Sequence, residues 1–347
     1  MRIQQSGVTH NDTSLATPGL TLFSPVQSQT AYLIDNAVEE VRCWTVTGSS
    51  TNWCYLTKSG ALFMNEAGEH KAAIPFGSGA MRSYAPNCEI GWTHEDRMQD
   101  HDARRLPDGG CVYLAWEKLS RDTAAELTGG VPGTDANGEI FGEVIREVDA
   151  TGGTRWEWRL SEHGCWPFHR NAVRRNYGHA NAIDISPEGD YPVSFKVLNL
   201  LLIISRETGD IVWEFQNDAL DGQHDAQFTD TDSILVFANV TYSSDVAHSQ
   251  VWEIDRATKN IVWRFTEKQN PLNFFSAHLS GVQRLPSGRT LICEGANGCL
   301  MEMTPGGEIA WQNVNPHWQT HPKFNAISRV YRARRYTYGA PEVARYV

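Results

Sequence analysis

The amino-acid sequence predicts an all-β protein with the fold of a six-bladed β-propeller. Three observations lead to this prediction. A strand pair ending in tryptophan recurs along the chain, a strand–turn–strand piece precedes most of these pairs, and the two chain ends supply complementary parts of one further unit. A propeller blade is a four-stranded antiparallel sheet, so a repeated set of four short strands is the pattern that this fold requires.

The recurring strand pairs each join an apolar strand to a second strand through a polar turn rich in Asp, Asn, Thr and Gly, which is typical of a β-hairpin. Five pairs end at Trp44, Trp156, Trp213, Trp263 and Trp311, and a weaker copy ends at Trp92. The intervals between these tryptophans are 48, 64, 57, 50 and 48 residues, close to the period of about 40–50 residues for propeller blades. The longest interval contains an insert near residues 118–138, which predicts a helical turn and a Gly/Pro-rich loop. The regular recurrence of the tryptophans favours packing between blades.

The strand–turn–strand pieces, such as HDARRLPDGGCVYLAW and HDAQFTDTDSILVFAN, complete five four-strand units. The N-terminal hairpins have no such piece ahead of them, and the C-terminal segment NAISRVYRARRY has no hairpin after it. We therefore expect the C-terminal strand to join the N-terminal hairpins and to close a sixth blade, which removes exposed sheet edges. The predicted propeller domain covers residues 19–336, between an N-terminal extension (1–18) and a C-terminal tail (337–347).

The composition limits the function classes. The chain has 347 residues, 41% of them hydrophobic, and a net charge of -11, so a nucleic-acid partner is not expected because such partners need a basic face. Its start lacks a basic segment followed by an apolar stretch, and no run approaches the ~20 apolar residues of a membrane span. We expect a cytoplasmic protein without a membrane partner, and a homo-oligomer is left open. The seven cysteines contain no CxxC pair, which favours reduced thiols.

Histidines recur at one position of the repeat. His101 and His224 begin the same tripeptide, His-Asp-Ala, and His179 begins His-Ala-Asn-Ala. His278 stands two residues earlier in its own repeat, in register with Ser280, and a shift of two along a strand keeps the same face. Because the innermost strand of each blade lines the central channel, we expect these side chains to converge on one active site and to contact a substrate there.

Acidic residues follow two of these histidines. Asp102 and Asp225 are next in sequence to His101 and His224, so the alternation of side chains along a strand points them away from the channel. We interpret them as structural hydrogen-bonding groups. No glutamate occupies an obvious position behind the histidines.

Several segments together resemble the arylsulfotransferase (aryl-sulfate sulfotransferase) propeller family: DHDARRLPDGG, GHANAIDI, QHDAQF, HLSGVQRLPSGRTLICEGANG and GGEIAWQNVNP. The resemblance covers nearly the whole chain. It implies a cofactor-free ping-pong reaction, in which a channel histidine takes a sulfuryl group from a phenolic sulfate ester and passes it to another phenol. The implied partner is a small aromatic substrate.

The resemblance also implies roles for individual residues. His224 would be the nucleophile, and His101, His179 and Asn181 would contact the sulfuryl oxygens. Lys196 stands where the family usually has arginine, and it would supply a point charge instead of a planar fork. Fixed donors and cations suit a sulfuryl group in transit because negative charge is spread over its oxygens.

Two other functions are open at this stage. His101, His179, His224 and His278 could instead hold a transition metal such as Fe, Zn, Cu or Ni, because converging neutral imidazoles are ligands for these ions. Such a site would support hydrolysis, elimination or oxygen chemistry. Alternatively, the chain is a non-enzymatic interaction propeller, in which case the histidines could be exchanged without loss of partner binding.

Overall fold

The computed structural model describes residues 5–48, 50–68, 77–135, 138–240, 246–321, 323 and 325–347. It divides into two compact units, the first formed by residues 1–67, 80–94 and 276–347 and the second by residues 68–79 and 95–275. No disulfide links the seven cysteines, all of which lie in the described ranges. Within those ranges, no helix has the length and apolar character needed to cross a membrane.

Strands dominate the described chain. The first eight, in chain order, are β1 (Gly7–Asn11), β2 (Gly19–Pro25), β3 (Thr30–Ile34), β4 (Glu40–Thr45), β5 (Ser50–Leu56), β6 (Leu62–Ala67), β7 (Gly79–Tyr84) and β8 (Ile90–Glu95). The strands between residues 99 and 265 are β9 (Gln99–Arg105), β10 (Cys111–Lys118), β11 (Gly129–Val131), β12 (Phe141–Val148), β13 (Thr154–Arg159), β14 (Phe168–Val173), β15 (Asn176–Tyr177), β16 (Ala180–Ile183), β17 (Tyr191–Phe195), β18 (Leu200–Ile204), β19 (Ile211–Gln216), β20 (His224–Phe228), β21 (Ser233–Ala238), β22 (Gln250–Asp255) and β23 (Ile261–Phe265). The last seven are β24 (Gly281–Arg284), β25 (Thr290–Glu294), β26 (Cys299–Met303), β27 (Ile309–Val314), β28 (Gln319–His321), β29 (Asn325–Ile327) and β30 (Val330–Thr337).

Helical structure is short. The helix α1 covers Arg121–Glu126, where the Ser120 side chain caps its first turn by accepting a hydrogen bond from the Thr123 N–H. The 3-10 turns are Leu160–Glu162, Lys196–Leu198, Asp218–Leu220, Pro271–Asn273 and Gly295–Asn297. The insert predicted near residues 118–138 therefore contains the expected helical turn.

Six antiparallel sheets form the blades. Their strand orders are β30–β2–β3–β4, β5–β6–β7–β8, β9–β10–β12–β13, β16–β17–β18–β19, β20–β21–β22–β23 and β24–β25–β26–β27. The fold is an all-β, six-bladed β-propeller, and the predicted fold class is confirmed. The C-terminal strand β30 pairs with β2, so the two chain ends share one sheet, as predicted.

In the first unit, both chain termini are attached to blades. Strand β1, within the predicted extension, pairs antiparallel with β27 as a fifth strand of that sheet. In the predicted tail, Val343 is buried and the Tyr346 hydroxyl donates to the Gly60 carbonyl oxygen at 2.6 Å. Trp311 is buried, and its indole N–H donates to the Asn36 carbonyl oxygen at 2.8 Å.

In the second unit, the sequence of each strand matches its depth in the sheet. Leu200–Ile204 and Ser233–Ala238 are middle strands and are buried throughout, whereas the edge strand β23 alternates between half-buried and exposed residues. The Trp213 indole N–H donates to the Arg256 carbonyl oxygen of the next sheet at 2.8 Å. At Trp213 the indole therefore joins successive blades.

Candidate active site

Three of the predicted histidines lie together in the second unit. His101 is the third residue of β9, His179 directly precedes β16, and His224 is the first residue of β20. They are only 3% to 8% exposed. The ring centres of His101 and His179 are 4.8 Å apart, and His224 is close enough for its charge to act on His179. The structure therefore collects imidazoles from three successive sheets into one buried cluster.

The backbone at His179 is not regular strand. Gly178 has φ +94° and His179 has φ +46°, so two consecutive residues are in the left-handed region. A Cβ atom on residue 178 would lie 2.8 Å from Leu160 Cδ2 and 3.1 Å from Glu143 Cβ, which only glycine avoids. Non-glycine residues with positive φ are uncommon and cluster at functional sites. This bend places the imidazole ahead of β16.

The two aspartates that follow histidines bond to the scaffold. The Asp102 Oδ2 atom accepts from the Ile183 N–H of the neighbouring sheet at 3.0 Å. Asp225 has φ +56°, and the pairing of β20 is irregular between His224 and Gln227, so the strand alternation used to predict its direction does not apply there. Its Oδ1 atom accepts from the Gln227 amide at 2.6 Å.

The tautomer of His224 is set by a neighbouring amide. Its Nδ1 atom lies 2.7 Å from Oδ1 of Asn239, which is fully buried just after β21. An amide oxygen only accepts, so Nδ1 of His224 must carry the hydrogen. The Nε2 atom then has the lone pair that a nucleophile needs. Sequence analysis did not select Asn239 because it follows a different strand of the blade from the one that begins at His224.

His179 is held in the opposite tautomer. Asn176 Nδ2 lies 3.4 Å from His179 Nδ1, and an amide nitrogen only donates, so Nδ1 accepts and Nε2 carries the hydrogen. Burial, followed by the charges of His101, Lys196 and His224, holds the pKa of His179 well below its usual value of 6.5. His179 is therefore a neutral donor at physiological pH.

Lys196 is tied to the same histidine. It begins the 3-10 turn after β17, and its backbone N–H donates to the His179 carbonyl oxygen at 3.1 Å. Burial lowers the pKa of the Lys196 ammonium group to about 8. The lysine is thus still charged at neutral pH, although its charge is sensitive to mild alkali.

Asn181 is fully buried on β16, and its Nδ2 atom donates to the Gln223 carbonyl oxygen at 2.7 Å. Gln223 directly precedes His224, so this hydrogen bond connects the sheet that carries His179 to the start of β20. Asn181 therefore braces the cluster. Contact of Asn181 with a sulfuryl group, which the family resemblance implies, stays a prediction.

A cavity of about 140 Å³ opens beside the cluster. His179 and Lys196 lie on one side of it, and the insert strand β14 supplies the other side through His169, Asn171 and Val173. The other lining residues are Ala172, Asn176, Val197, Asn199 and Gly222. Polar groups and small apolar side chains thus meet in one cavity, the general composition of a small-molecule site.

Two acidic residues that the sequence analysis missed lie behind His101. Asp100 and Glu143 are fully buried, and Nδ1 of His101 is 2.5 Å from Oδ1 of Asp100. Burial raises the pKa of Asp100, against the opposing effect of His101. Burial and the charge of Asp100 raise the pKa of Glu143 well above its usual range. One signal in the sequence was a glutamate within the apolar strand FGEVIREV.

His278 and Ser280 lie in the first unit, just before β24. Ser280 is buried, its N–H donates to the Tyr331 carbonyl oxygen at 3.1 Å, and its hydroxyl oxygen accepts from the Gly295 N–H at 3.3 Å. The His278 carbonyl oxygen accepts from the Ser276 hydroxyl at 2.8 Å. The substrate contacts predicted for His278 and Ser280 stay predictions.

The side chains of the described part of the chain contain no group of three or more His, Cys, Asp or Glu residues with a geometry that could hold a metal ion. One of the predicted ligands, His179, also has the hydrogen on Nε2 while its Nδ1 atom accepts from the Asn176 amide, so it presents no lone pair to a metal in this tautomer. The arrangement therefore gives no specific support to the metal alternative.

Fold and cluster together define a β-propeller with a buried histidine cluster beside a small cavity. Residues 139–316 match the family model described as Arylsulfotransferase (ASST). The match covers more than half of the chain and includes His179, Asn181, Lys196 and His224. The chain belongs to the arylsulfotransferase family, and the resemblance noted in the sequence is confirmed.

Solved structures agree with the fold. A protein of unknown function from Bacteroides caccae is 16% identical, with a TM-score of 0.53 over 91% of this chain and 99% of that one. A streptogramin B lyase is 10% identical, with a TM-score of 0.53 over 97% and 96%, and a protein from Lactobacillus plantarum is 10% identical, with a TM-score of 0.52 over 92% and 99%. At these identities the likeness concerns the fold alone. No curated protein matches the chain.

Proposed function

We propose that this protein transfers a sulfuryl group between phenolic compounds, with His224 as the nucleophile. The observation that carries the proposal is the fixed tautomer of His224, whose Nδ1 atom is 2.7 Å from the Asn239 side-chain oxygen. The Nε2 lone pair belongs to a buried cluster that also contains two further imidazoles and a lysine. A neutral, oriented imidazole among hydrogen-bond donors is the arrangement that covalent sulfuryl transfer needs.

The first half-reaction consumes an aryl sulfate. The Nε2 atom of His224 attacks sulfur, an N–S bond forms, and the S–O bond to the phenol breaks. Its electron pair remains on the phenolate oxygen, which takes a proton from Nε2 of His101. The products are a phenol and a sulfurylated His224 whose Nδ1–H still faces Asn239.

In the second half-reaction, an acceptor phenol gives its proton to His101 and attacks the same sulfur. The N–S bond breaks, its electron pair returns to Nε2 of His224, and a new aryl sulfate leaves. Each half-reaction balances without a redox partner. His101 and His224 both return to their starting protonation states.

The charges in the cluster suit this chemistry. A sulfate monoester carries one negative charge, and the protonated Lys196 lies in the cavity wall beside His179. Since His179 is neutral and has its hydrogen on Nε2, it can donate to a sulfuryl oxygen without repelling Lys196. Donors fixed before the reaction begins stabilise the transition state without reorganisation.

The cavity also suits an aromatic ring. Val173, Val197 and Ala172 line it together with Lys196 and His179, so a ring can lie against apolar side chains while its sulfate meets the polar groups. Apolar surface of this kind supports phenols as donors and acceptors. The predicted cytoplasmic location and oligomeric state stay predictions.

The test is release of a chromogenic phenol from an aryl sulfate in the presence of a second phenol. We expect release by the wild type, loss of release by His224→Ala, and a sulfurylated peptide containing His224 when donor is supplied alone. His10→Ala is the matched control, because His10 is exposed on the outermost strand β1. No release by the wild type, or full release by His224→Ala, would refute the proposal.

Metal analysis of the same active preparation addresses the metal alternative. A stoichiometric transition metal whose removal abolishes activity would favour a metal-dependent mechanism over a nucleophilic His224. Undiminished activity in a metal-free preparation is the result that we expect.

A further inference from the structure

A buried carboxyl pair lies behind the histidine cluster, and the proposed reaction has not yet used it. Asp100 is on β9 and Glu143 is on β12, with β10 between them. Trp116 of β10 is the register partner of Glu143, and the charge of Asp100 acts on the Glu143 carboxyl group. Both carboxyl groups are fully buried. They belong to two strands of the same blade.

The contacts of Glu143 indicate which group has a proton. Its Oε2 atom accepts from the Ala180 N–H at 2.8 Å, and among the residues that the structure describes, no N–H or O–H group donates to Oε1. Two ionised carboxylates in buried contact repel each other strongly, whereas a shared proton makes the contact attractive. Burial, followed by the charge of Asp100, raises the pKa of Glu143 well above its usual range.

The contacts of Asp100 favour the charged form of that residue. Its Oδ1 atom is 2.5 Å from Nδ1 of His101, and the indole of Trp116 also acts to stabilise the carboxylate. A carboxylate beside an imidazole N–H and an indole N–H is a stable arrangement in a buried site. The proton of the pair therefore belongs on Glu143 and the charge on Asp100.

We propose that Glu143 is a carboxylic acid that donates its hydrogen to the Asp100 carboxylate, and that this pair holds His101 as the proton donor to the departing phenolate. The inference rests on the proposed sulfuryl transfer. The proton that moves is the one on Nε2 of His101, while the proton between Asp100 and Glu143 stays in place. Asp100 and Glu143 are positioning residues, since they act through His101.

The arrangement also balances the charges of the cluster. In the proposed reaction His101 has a hydrogen on both ring nitrogens before it protonates the phenolate, and its positive charge then offsets the one negative charge of the carboxyl pair. The Lys196 cation is then left to meet the single negative charge of an aryl sulfate, beside neutral His179. If Glu143 were also ionised, it would oppose that binding.

A proton donor that is fixed in place, here His101, determines which sulfate esters the protein can use as donors. Phenols with electron-withdrawing groups leave without help, whereas unactivated phenols, with a pKa of about 10, need a proton at the oxygen as the S–O bond breaks. We therefore infer that the donors of this protein are sulfate esters of unactivated phenols. Activated esters would react with little dependence on the carboxyl pair.

Infrared spectroscopy tests the protonation directly. The wild type at neutral pH should show a carboxylic acid C=O stretching band that is lost in Glu143→Gln. Glu147→Gln is the matched control, because Glu147 is buried on the same strand but is ionised by Arg155 and Arg206, so its replacement should leave the band. Absence of the band in the wild type, or its persistence in Glu143→Gln, would overturn the proposal.

Kinetics with a series of aryl sulfates test the function of the pair. Asp100→Asn should lower kcat for phenyl sulfate by about 10²-fold or more and that for 4-nitrophenyl sulfate by less than about fivefold. Glu143→Gln should stay within about threefold of the wild type, since a glutamine amide can still donate to Asp100 and accept from Ala180. Equal losses on both esters in Asp100→Asn would refute the positioning role.

The two experiments separate this inference from the proposed function. If the wild type releases no phenol from any ester, sulfuryl transfer fails, and the infrared band still decides whether Glu143 has a proton. If the wild type is active but the band is absent, the proposed function stands and the carboxyl pair is excluded. A variant that does not fold leaves the wild-type spectrum as the deciding measurement.

Discussion

Lys196 should set the upper pH limit of the reaction. Its pKa is lowered to about 8 by burial. The protonated ammonium group of Lys196 can stabilise the negative charge of the sulfuryl oxygens, whereas its neutral amine cannot. Since the pH dependence of kcat/KM reports groups of the free enzyme, kcat/KM should fall about tenfold for each pH unit well above 8. An ordinary exposed lysine, with a pKa of about 10.4, would produce no such decline until near pH 10.

Two substitutions separate charge from shape. Lys196→Met removes the charge, and we expect kcat/KM at pH 7 to fall about 10²- to 10³-fold, the usual loss for one preorganised group of this kind. Lys196→Arg keeps the charge at all accessible pH values, so the alkaline decline should disappear even if the maximum rate changes. The rates would be measured from about pH 6 to about pH 10 with one donor and one acceptor.

Stability should change in the opposite direction. Because the pKa of Lys196 is lower in the folded protein than in the unfolded chain, its charged form destabilises the fold fully below about pH 8, and stability rises with pH between about 8 and about 10.5. Lys196→Met should therefore raise Tm at neutral pH while it lowers activity. Lys259→Met, an exposed lysine in the turn between β22 and β23, should change neither.

The reasoning fails if Lys196→Arg keeps the same alkaline decline, because another group would then be responsible. It also fails if Lys196→Met has wild-type activity at pH 7. A lower Tm in Lys196→Met would show that the contacts of the lysine stabilise the fold by more than the burial of its charge destabilises it.

Three further changes have defined outcomes. Asn239→Ala should lower kcat about 10- to 100-fold without changing the secondary structure seen by circular dichroism. Without the Asn239 oxygen, His224 can adopt either tautomer, and only one of them has the lone pair on Nε2. An unchanged kcat would contradict this. Glu147→Gln should reduce the free energy of unfolding by about 1–3 kcal/mol in urea titrations at pH 7, because it weakens the paired hydrogen bonds from Arg206 at 2.6 and 2.7 Å. Burial acts to raise the pKa of Glu147, but its hydrogen bonds outweigh burial and lower it, so the difference between the two proteins should shrink as the pH falls below about 4. Deletion of residues 330–347 removes the innermost strand of one sheet, so we expect loss of the cooperative thermal transition, and an intact transition would refute the closure argument.

The blades could be predicted from the sequence because a propeller places similar residues at equivalent positions of successive blades. Tryptophan at Trp213 or Trp311 bonds to the next outer hairpin, and this repeated contact made the period visible. Strand β1 was not predictable in the same way. Its five residues, GVTHN, are half-buried or exposed, so they have no apolar pattern, and only pairing with β27 defines them as a strand.

The histidine cluster was predictable for the same reason, since His101 and His224 share a tripeptide and a position in the repeat. Its supporting residues were not. Glu143 lies on another strand of its blade and Asn239 directly follows one, and both come near the histidines only through strand pairing and bulges. The left-handed turn at Gly178 likewise depends on contacts with Leu160 and Glu143, which no local pattern encodes.

One wall of the cavity comes from β14, whose segment interrupts the four-strand repeat and pairs with β11 instead of joining a blade. Replacement of this wall would leave every blade ladder intact, so sequence changes in it carry little penalty for folding. Relatives could therefore diverge in the ring substituents they accept by exchanging this segment, while the imidazoles beneath it stay the same. Grafting residues 163–175, which contain β14 but no blade strand, between family members is accordingly a direct route to altered substrate range.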